Sequence, residues 1–288
     1  MLEKIKTYLS LIKFSHSIFA MPFALIGFFI AIQTLGYFPK WHIFALIILC
    51  MVFARNSAMA FNRYTDNKID KANPRTAMRE IPTKKVSPKN ALIFTIINSV
   101  FFVTASFFIN KTVFYLSPLA LFIVLSYSYT KRFTFLSHFI LGLALSIAPA
   151  GAFLAINSYL TIQIIWLSSA VLLWTAGFDI LYSLQDEEFD RKNGLFSIPA
   201  KYGRQNSLII SNIIHLLAAN FIILFSLSLN FNFLVGIGLV IFLFLLVYQH
   251  LIVKKDDISK INIAFATTNG VASLVFAVFI IASLYYKA

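Results

Sequence analysis

Asp66, Asp70, Glu80, Asp179, Asp186, Glu187, Glu188 and Asp190 are eight of the eleven acidic residues in this chain, and their spacing is duplicated. One stretch reads N-R-Y-T-D-N-K-I-D from Asn62 and the other Y-S-L-Q-D-E-E-F-D from Tyr182, so each places acids four and eight positions after a polar residue. Asp66 precedes Asp186 by 120 positions, as Asp70 precedes Asp190. Residues four apart share a helix face, so the pairs would form two carboxylate ladders. Like charges at that spacing repel unless cations bridge them, and hard oxygen ligands with open positions suit Mg²⁺ shared with a substrate's phosphates. A solvated acidic helix end is the competing reading. It would leave the duplicated spacing and the basic residues nearby as coincidences.

Lys68, Arg75, Arg79 and Lys131 surround these carboxylates in sequence. A diphosphate leaving group needs such positive charge as its own negative charge grows. Arg75 and Arg79 lie inside N-P-R-T-A-M-R, where Pro74 and Pro82 interrupt any helix and predict a shaped loop over the site. Lys71, Lys84, Lys85 and Lys89 read as ordinary surface charge.

Arg55 stands alone on an otherwise apolar stretch about two turns before Asn62. A charge inside a span costs about 2.5–3.5 kcal/mol on insertion scales, so something should compensate it. Its planar guanidinium could hold the carboxylate of a small aromatic acid, or it could reach the interface and bind phospholipid. Asn62, near the same face, could position that acceptor or a metal-bound water. Tyr127 and Tyr182, at helix ends, could stabilise an allylic cation or belong to an interfacial aromatic belt. Asp179, at the helix end leading into the second motif, joins the candidate substrate-binding residues. The five His are dispersed without zinc spacing and receive no role, and the single Cys50 reads as packing.

The elements that must carry these residues follow from composition. With 59% hydrophobic and 12% charged residues, against roughly 25% charged in soluble domains, a soluble fold is excluded. Nine apolar stretches of near-spanning length are read as helices, over about 14–35, 41–62, 89–109, 113–128, 134–156, 161–183, 206–228, 231–252 and 261–285. The first is read as a retained span rather than a cleaved signal. The expected fold is thus all-α and polytopic, a single transmembrane domain over residues 1–288.

The net charge of +13 does not call for nucleic acid. With the N-terminus placed in the cytoplasm, only Lys40, Lys111 and Lys287 fall outside and Arg55 within a span, and every other Lys and Arg lies inside. The positive-inside rule accounts for the charge and places the protein in the cytoplasmic (inner) membrane. Both long polar connections, about 63–88 and 184–205, fall on the cytoplasmic side and carry the motifs. The motif spacing divides helices one to four and five to eight into two related halves, with helix nine added.

N-R-Y-T-D-N-K-I-D, N-P-R-T-A-M-R-E-I-P, Y-S-Y-T-K-R and D-I-L-Y-S-L-Q-D-E-E-F-D occur in that order, and the chain resembles the UbiA superfamily of intramembrane aromatic prenyltransferases over nearly its whole length. The family's N-x-x-x-D-x-x-x-D matches Asn62, Asp66 and Asp70. Its D-x-x-x-D matches Asp186 and Asp190, its Y-x-x-x-K matches Tyr127 and Lys131, and its upstream arginine matches Arg55.

The resemblance implies nine helices around a central cavity, with both Asp motifs holding a polyprenyl diphosphate through Mg²⁺ and a lateral opening for the isoprenoid tail. It also implies that diphosphate departs, that the allylic cation attacks a ring carbon ortho to a hydroxyl, and that a proton then leaves. The wording around both motifs is similar to the 4-hydroxybenzoate polyprenyltransferase branch, with ubiquinone synthesis as the setting. Enzymes acting on a dihydroxynaphthoate in menaquinone synthesis resemble it as well, and Arg55 does not separate the two acceptors. Glu187 and Glu188 depart from many relatives and are read as supporting or solvated groups.

A secondary transporter would place its ionisable residues near the bilayer midplane, whereas these cluster at one edge. A phosphatidyl-type alcohol transferase would need a D-G-x-x-A-R element, which is missing after Asp66. A non-enzymatic scaffold would leave both carboxylate pairs unexplained.

Overall fold

Lipid offers no partner to backbone N–H and C=O groups, so apolar runs of spanning length become helices. The computed structural model describes residues 2–13 and 19–286, with side chains from Lys6 onward. Among the described residues there is no strand. The helices are α1 (Leu2–Leu11), α2 (Met21–Leu35), α3 (Trp41–Thr65), α4 (Asn67–Ala72), α5 (Pro88–Ile109) and α6 (Lys111–Thr130), followed by α7 (Ser137–Leu154), α8 (Ile162–Ser183), α9 (Glu187–Lys192), α10 (Ile198–Leu227), α11 (Phe233–Ile252) and α12 (Asn269–Tyr285).

Among the described residues, eight segments are long and apolar enough to cross a membrane, and α2, with 15 residues, is a shorter apolar helix beside them. The chain is a multi-span, all-helical membrane protein. The expected first span began at residue 14, but residues 14–18 lie outside the described residues and the helix is seen from Met21.

The chain divides into two compact units. One contains α1 and α3–α6, the other α2 and α7–α12. In the first, α3 lies along α5 and polar side chains join them. Asn56 Nδ2 donates to Asn98 Oδ1 at 3.0 Å, and Ser99 Oγ to Ser57 Oγ at 3.2 Å. Such interhelical bonds in lipid contribute about 0.6–2 kcal/mol each. Ser87 starts α5 by accepting from Asn90 N, with Pro88 at its first position. Cys50 is buried near Ser106, in agreement with a packing role.

In the second unit α8 is central, and every residue from Trp174 to Leu181 is buried. The Trp174 ring meets Phe178 at 4.9 Å and Phe23 at 5.3 Å, and its indole N–H donates to Asn269 Oδ1 at 3.0 Å. A π-helical turn over Ile263–Thr268 immediately precedes Asn269. Helix α10 bends at Gly203, so its long regular stretch begins close to the span expected from residue 206.

Helix α2 belongs with this second unit rather than with the three helices that follow it in the expected first half. The reason is close packing on α7, where a Cβ on Gly27 would lie 2.3 Å from the Pro149 carbonyl oxygen. Asn157 Nδ2 also donates to the Ala31 carbonyl at 3.3 Å, and Gln33 Nε2 to that of Leu284 at 3.2 Å. Helix α7 docks on α8 in the same manner, with Gly142 against the Leu172 carbonyl.

Candidate functional site

In the first unit α3 carries Arg55, Asn62 and Arg63 and ends at Thr65. Asp66 separates it from α4 with φ −89° and ψ 8°, the bridge region of backbone space in which many active-site residues sit. The pair Asp66 and Asp70 therefore does not stand on one unbroken helix as the spacing alone suggested. It straddles a turn, although Asp70 N still donates to Asp66 O at 2.7 Å and keeps the two residues in register. Asn62 Nδ2 donates to Asp66 Oδ2 at 2.8 Å, which fixes that carboxylate.

Residues 73–87 form consecutive turns, as the two prolines predict. Within them Arg79 reaches back, its Nη1 2.6 Å from Asp70 Oδ1, while Thr76 Oγ1 donates to the Asp70 carbonyl at 3.2 Å. Asp70 is buried, and its Oδ2 has no hydrogen-bond partner among the described residues. Arg75 is held at the backbone, its N–H donating to Asn73 Oδ1 at 3.0 Å.

Arg63, one of the charges expected on the cytoplasmic side, is buried and interacts electrostatically with Asp70, Glu80 and Asp66. The signal was its adjacency to Asn62. Arg55 donates from Nη2 to the Lys13 carbonyl at 2.9 Å, and its buried Nε has no hydrogen-bond partner among the described residues. Glu80 accepts from Ser10 Oγ. Glu80 thus holds the end of α1, and Arg55 the residue Lys13 just after it. Tyr127, near the end of α6, is half-buried.

The second unit repeats the backbone plan. A 3₁₀ turn over Leu184–Asp186 follows α8, and Asp186 separates it from α9 with φ −103° and ψ 2°, close to the values at Asp66. Asp186 and Asp190 are both buried. Lys131 Nζ lies 3.5 Å from Asp190 Oδ2, and this oxygen has no hydrogen-bond partner among the described residues. The Lys131 carbonyl accepts from Phe196 N at 2.7 Å, which anchors the lysine to the segment after α9.

Glu187 is half-way to a structural residue: it is buried, with Arg191 Nη2 at 2.9 Å and Arg204 Nε at 3.5 Å. Glu188 is exposed, with Lys192 at 3.9 Å. The Tyr182 ring lies 4.1 Å from that of Phe265.

Asp179 lies two turns before Asp186 on α8, and its Oδ2 is 2.7 Å from His138 Nδ1. His138 corrects the sequence reading, which gave no histidine a role. A lone histidine at the start of an apolar helix carries no spacing signal, and only the packing of α7 on α8 brings it to Asp179. Buried oxygens left without a hydrogen bond, one in each motif, are the donors a hard cation would take. Among the described residues no three His, Cys, Asp or Glu side chains gather closely enough to hold a metal by themselves, so ligand or water oxygens would complete the shell.

A model of the UbiA prenyltransferase family matches residues 20–285. The 4-hydroxybenzoate octaprenyltransferase of Aliivibrio fischeri (strain MJ11) is 29% identical over 251 residues, which cover 87% of this chain and 86% of that protein. A solved UbiA homolog from Aeropyrum pernix K1 superposes with a TM-score of 0.83 at 27% identity, covering 93% of this chain and 98% of the other. A UbiA homolog from Archaeoglobus fulgidus bound to GPP and Mg²⁺ shares the fold, with a TM-score of 0.79 at 18% identity over 97% of this chain and 100% of the other.

Proposed function

This chain belongs to the UbiA prenyltransferase family, and from that premise we propose that it transfers the prenyl group of a polyprenyl diphosphate to a small aromatic acid of the 4-hydroxybenzoate kind. The product is a precursor of a respiratory quinone, ubiquinone or menaquinone, made at the cytoplasmic face of the inner membrane. The observation that carries the reading is the repeated bridge-region aspartate, Asp66 and Asp186, followed in each motif by a buried aspartate with an oxygen that accepts no hydrogen bond among the described residues, Asp70 Oδ2 and Asp190 Oδ2. The names of relatives such as the Aliivibrio fischeri enzyme support the acceptor class.

Asp66, Asp70, Asp186 and Asp190 are the proposed ligands of Mg²⁺, which when bound withdraws charge from the diphosphate and makes it a better leaving group. Asn62 keeps Asp66 oriented through the 2.8 Å hydrogen bond. Lys131 and Arg75 face the diphosphate oxygens and neutralise charge as the C–O bond to the prenyl carbon breaks. Arg79 serves the same charge balance through Asp70, to which it is already paired. Arg55 offers the acceptor's carboxylate a guanidinium edge, and Tyr127 and Tyr182 place ring faces toward the allylic cation. The ring carbon ortho to the hydroxyl bonds to the prenyl carbon, and its proton leaves to restore aromaticity.

The test is to incubate membranes containing the full chain with a labelled polyprenyl diphosphate and either 4-hydroxybenzoate or a dihydroxynaphthoate, and to identify the lipid product. Prenylated 4-hydroxybenzoate is the expected product. A prenylated naphthoate instead would move the enzyme to menaquinone synthesis with the same chemistry, and no prenylated acid from either would overturn the proposal.

A further inference from the structure

Asp179 is a carboxylate on a membrane-spanning helix, buried like every residue from Trp174 to Leu181 around it. An ionisable residue within a spanning helix marks a functional position by default, so a packing role alone does not account for it. Among the described residues its one hydrogen-bond or ion-pair partner is His138. That histidine is fully buried and both of its ring nitrogens are engaged. Ile198 N lies 3.4 Å from Nε2. A backbone N–H can only donate, so Nε2 accepts, and the ring proton sits on Nδ1, 2.7 Å from Asp179 Oδ2.

The Nδ1–H therefore clamps one oxygen of Asp179. The other oxygen is uncommitted, and 11% of the side chain remains exposed where the histidine is completely covered. Asp179 precedes Asp186 by seven residues, across the end of α8 and the 3₁₀ turn. Asp179 lies on α8, one turn before its end at Ser183, whereas Asp186 closes the 3₁₀ turn that follows and Asp190 sits on α9, so a diphosphate held at those two leaves Asp179 for a different group.

We propose that His138 is a positioning residue that holds Asp179 to accept a hydrogen bond from the phenol-type hydroxyl of the aromatic acceptor. This rests on the function proposed above. The acceptor's two polar ends make the assignment directional: its carboxylate would be repelled by Asp179, while its hydroxyl is a donor. A hydroxyl held in this way is also the group whose electrons activate the ortho carbon. The same contact therefore selects and orients the acceptor.

Binding of 4-hydroxybenzoate and of 4-methoxybenzoate, which lacks the donor, to the detergent-solubilised full chain tests this. If the membranes prenylate only the dihydroxynaphthoate, that acid and its methyl ether replace the pair. Wild type is expected to prefer the hydroxy acid by roughly 10–100-fold, the usual penalty for an unpaired buried acceptor. His138→Leu and Asp179→Ala should each bring the preference close to unity, and the double variant should lower it no further. His138→Gln should retain most of it, because one amide can both donate to Asp179 and accept from Ile198 N–H.

A His138→Leu protein that keeps the wild-type preference, or that weakens both ligands equally, overturns the proposal. If His138→Leu fails to fold, Asp179→Ala decides, and an unchanged preference there overturns it. A wild-type chain that prenylates neither acid removes the functional reading and this inference together. Unchanged preferences in a chain that does prenylate remove the inference alone.

Discussion

Arg79 Nη1 sits 2.6 Å from Asp70 Oδ1, so the loop after α4 neutralises one oxygen of the motif aspartate and leaves Oδ2 uncommitted. The arginine is 23% exposed and the aspartate 5%. Arg79→Ala strands a buried carboxylate and should lower stability by about 1–3 kcal/mol. Arg79→Lys, with the charge but not the planar fork, should lose less. Thermal unfolding in detergent measures this, and an alanine variant as stable as wild type would show that the pair does not hold the loop.

Asp70 and Asp190 each contribute an oxygen that accepts no hydrogen bond among the described residues, although Lys131 Nζ lies 3.5 Å from that of Asp190. Replacing either by Ala should reduce prenyl transfer by about 10²–10³-fold or more, because electrostatic stabilisation of the departing diphosphate is lost. Membranes supplied with Mg²⁺ and labelled diphosphate give the readout. Turnover near wild type in either variant would count against both as metal ligands.

Chelation provides an independent measurement of the same assignment. Excess chelator should stop transfer, and added Mg²⁺ should restore it. Full activity without free divalent metal would contradict the mechanism.

Arg55 hydrogen-bonds the Lys13 carbonyl while its Nε is left over. If it also holds the acceptor, Arg55→Ala should raise KM for the aromatic acid by about tenfold or more and leave KM for the diphosphate within about twofold. A variant in which both constants rise together would instead mark Arg55 as a clasp for the chain after α1.

Gly27 has no room for a methyl group, since its Cβ would meet the Pro149 carbonyl oxygen at 2.3 Å. Gly27→Ala should cost about 1–3 kcal/mol by forcing α2 away from α7. Unchanged thermal stability would show that this contact can relax.

Helices were legible in the sequence because lipid leaves an apolar run one way to satisfy its backbone. The runs expected over 89–109 and 161–183 are the helices Pro88–Ile109 and Ile162–Ser183. The turns over 73–87 were legible from Pro74 and Pro82, and the motif aspartates from their repeat. The break at Asp66 was not, because four-residue spacing is equally compatible with an unbroken helix and with two helices joined at a bridge-region residue. The pairing of Arg79 with Asp70 and of His138 with Asp179 depends on how a loop folds back and how α7 docks. Neither leaves a periodic trace. The grouping of α2 with α7 depends on a close approach at Gly27, which looks in sequence like any other glycine in a span.

The wide turn at Ile263–Thr268 accommodates more residues than a regular helical turn, and each residue advances the helix by about 100°. Asn269 follows directly and meets the Trp174 indole. Everything from there to Tyr285 inherits that angular offset, including Phe276 and Ile280 in the core. Deleting one residue from this turn would revolve the terminal helix so that Asn269 faced acyl chains and Phe276 left its aromatic neighbours, a frame error in three dimensions caused without altering a single side chain beyond the cut.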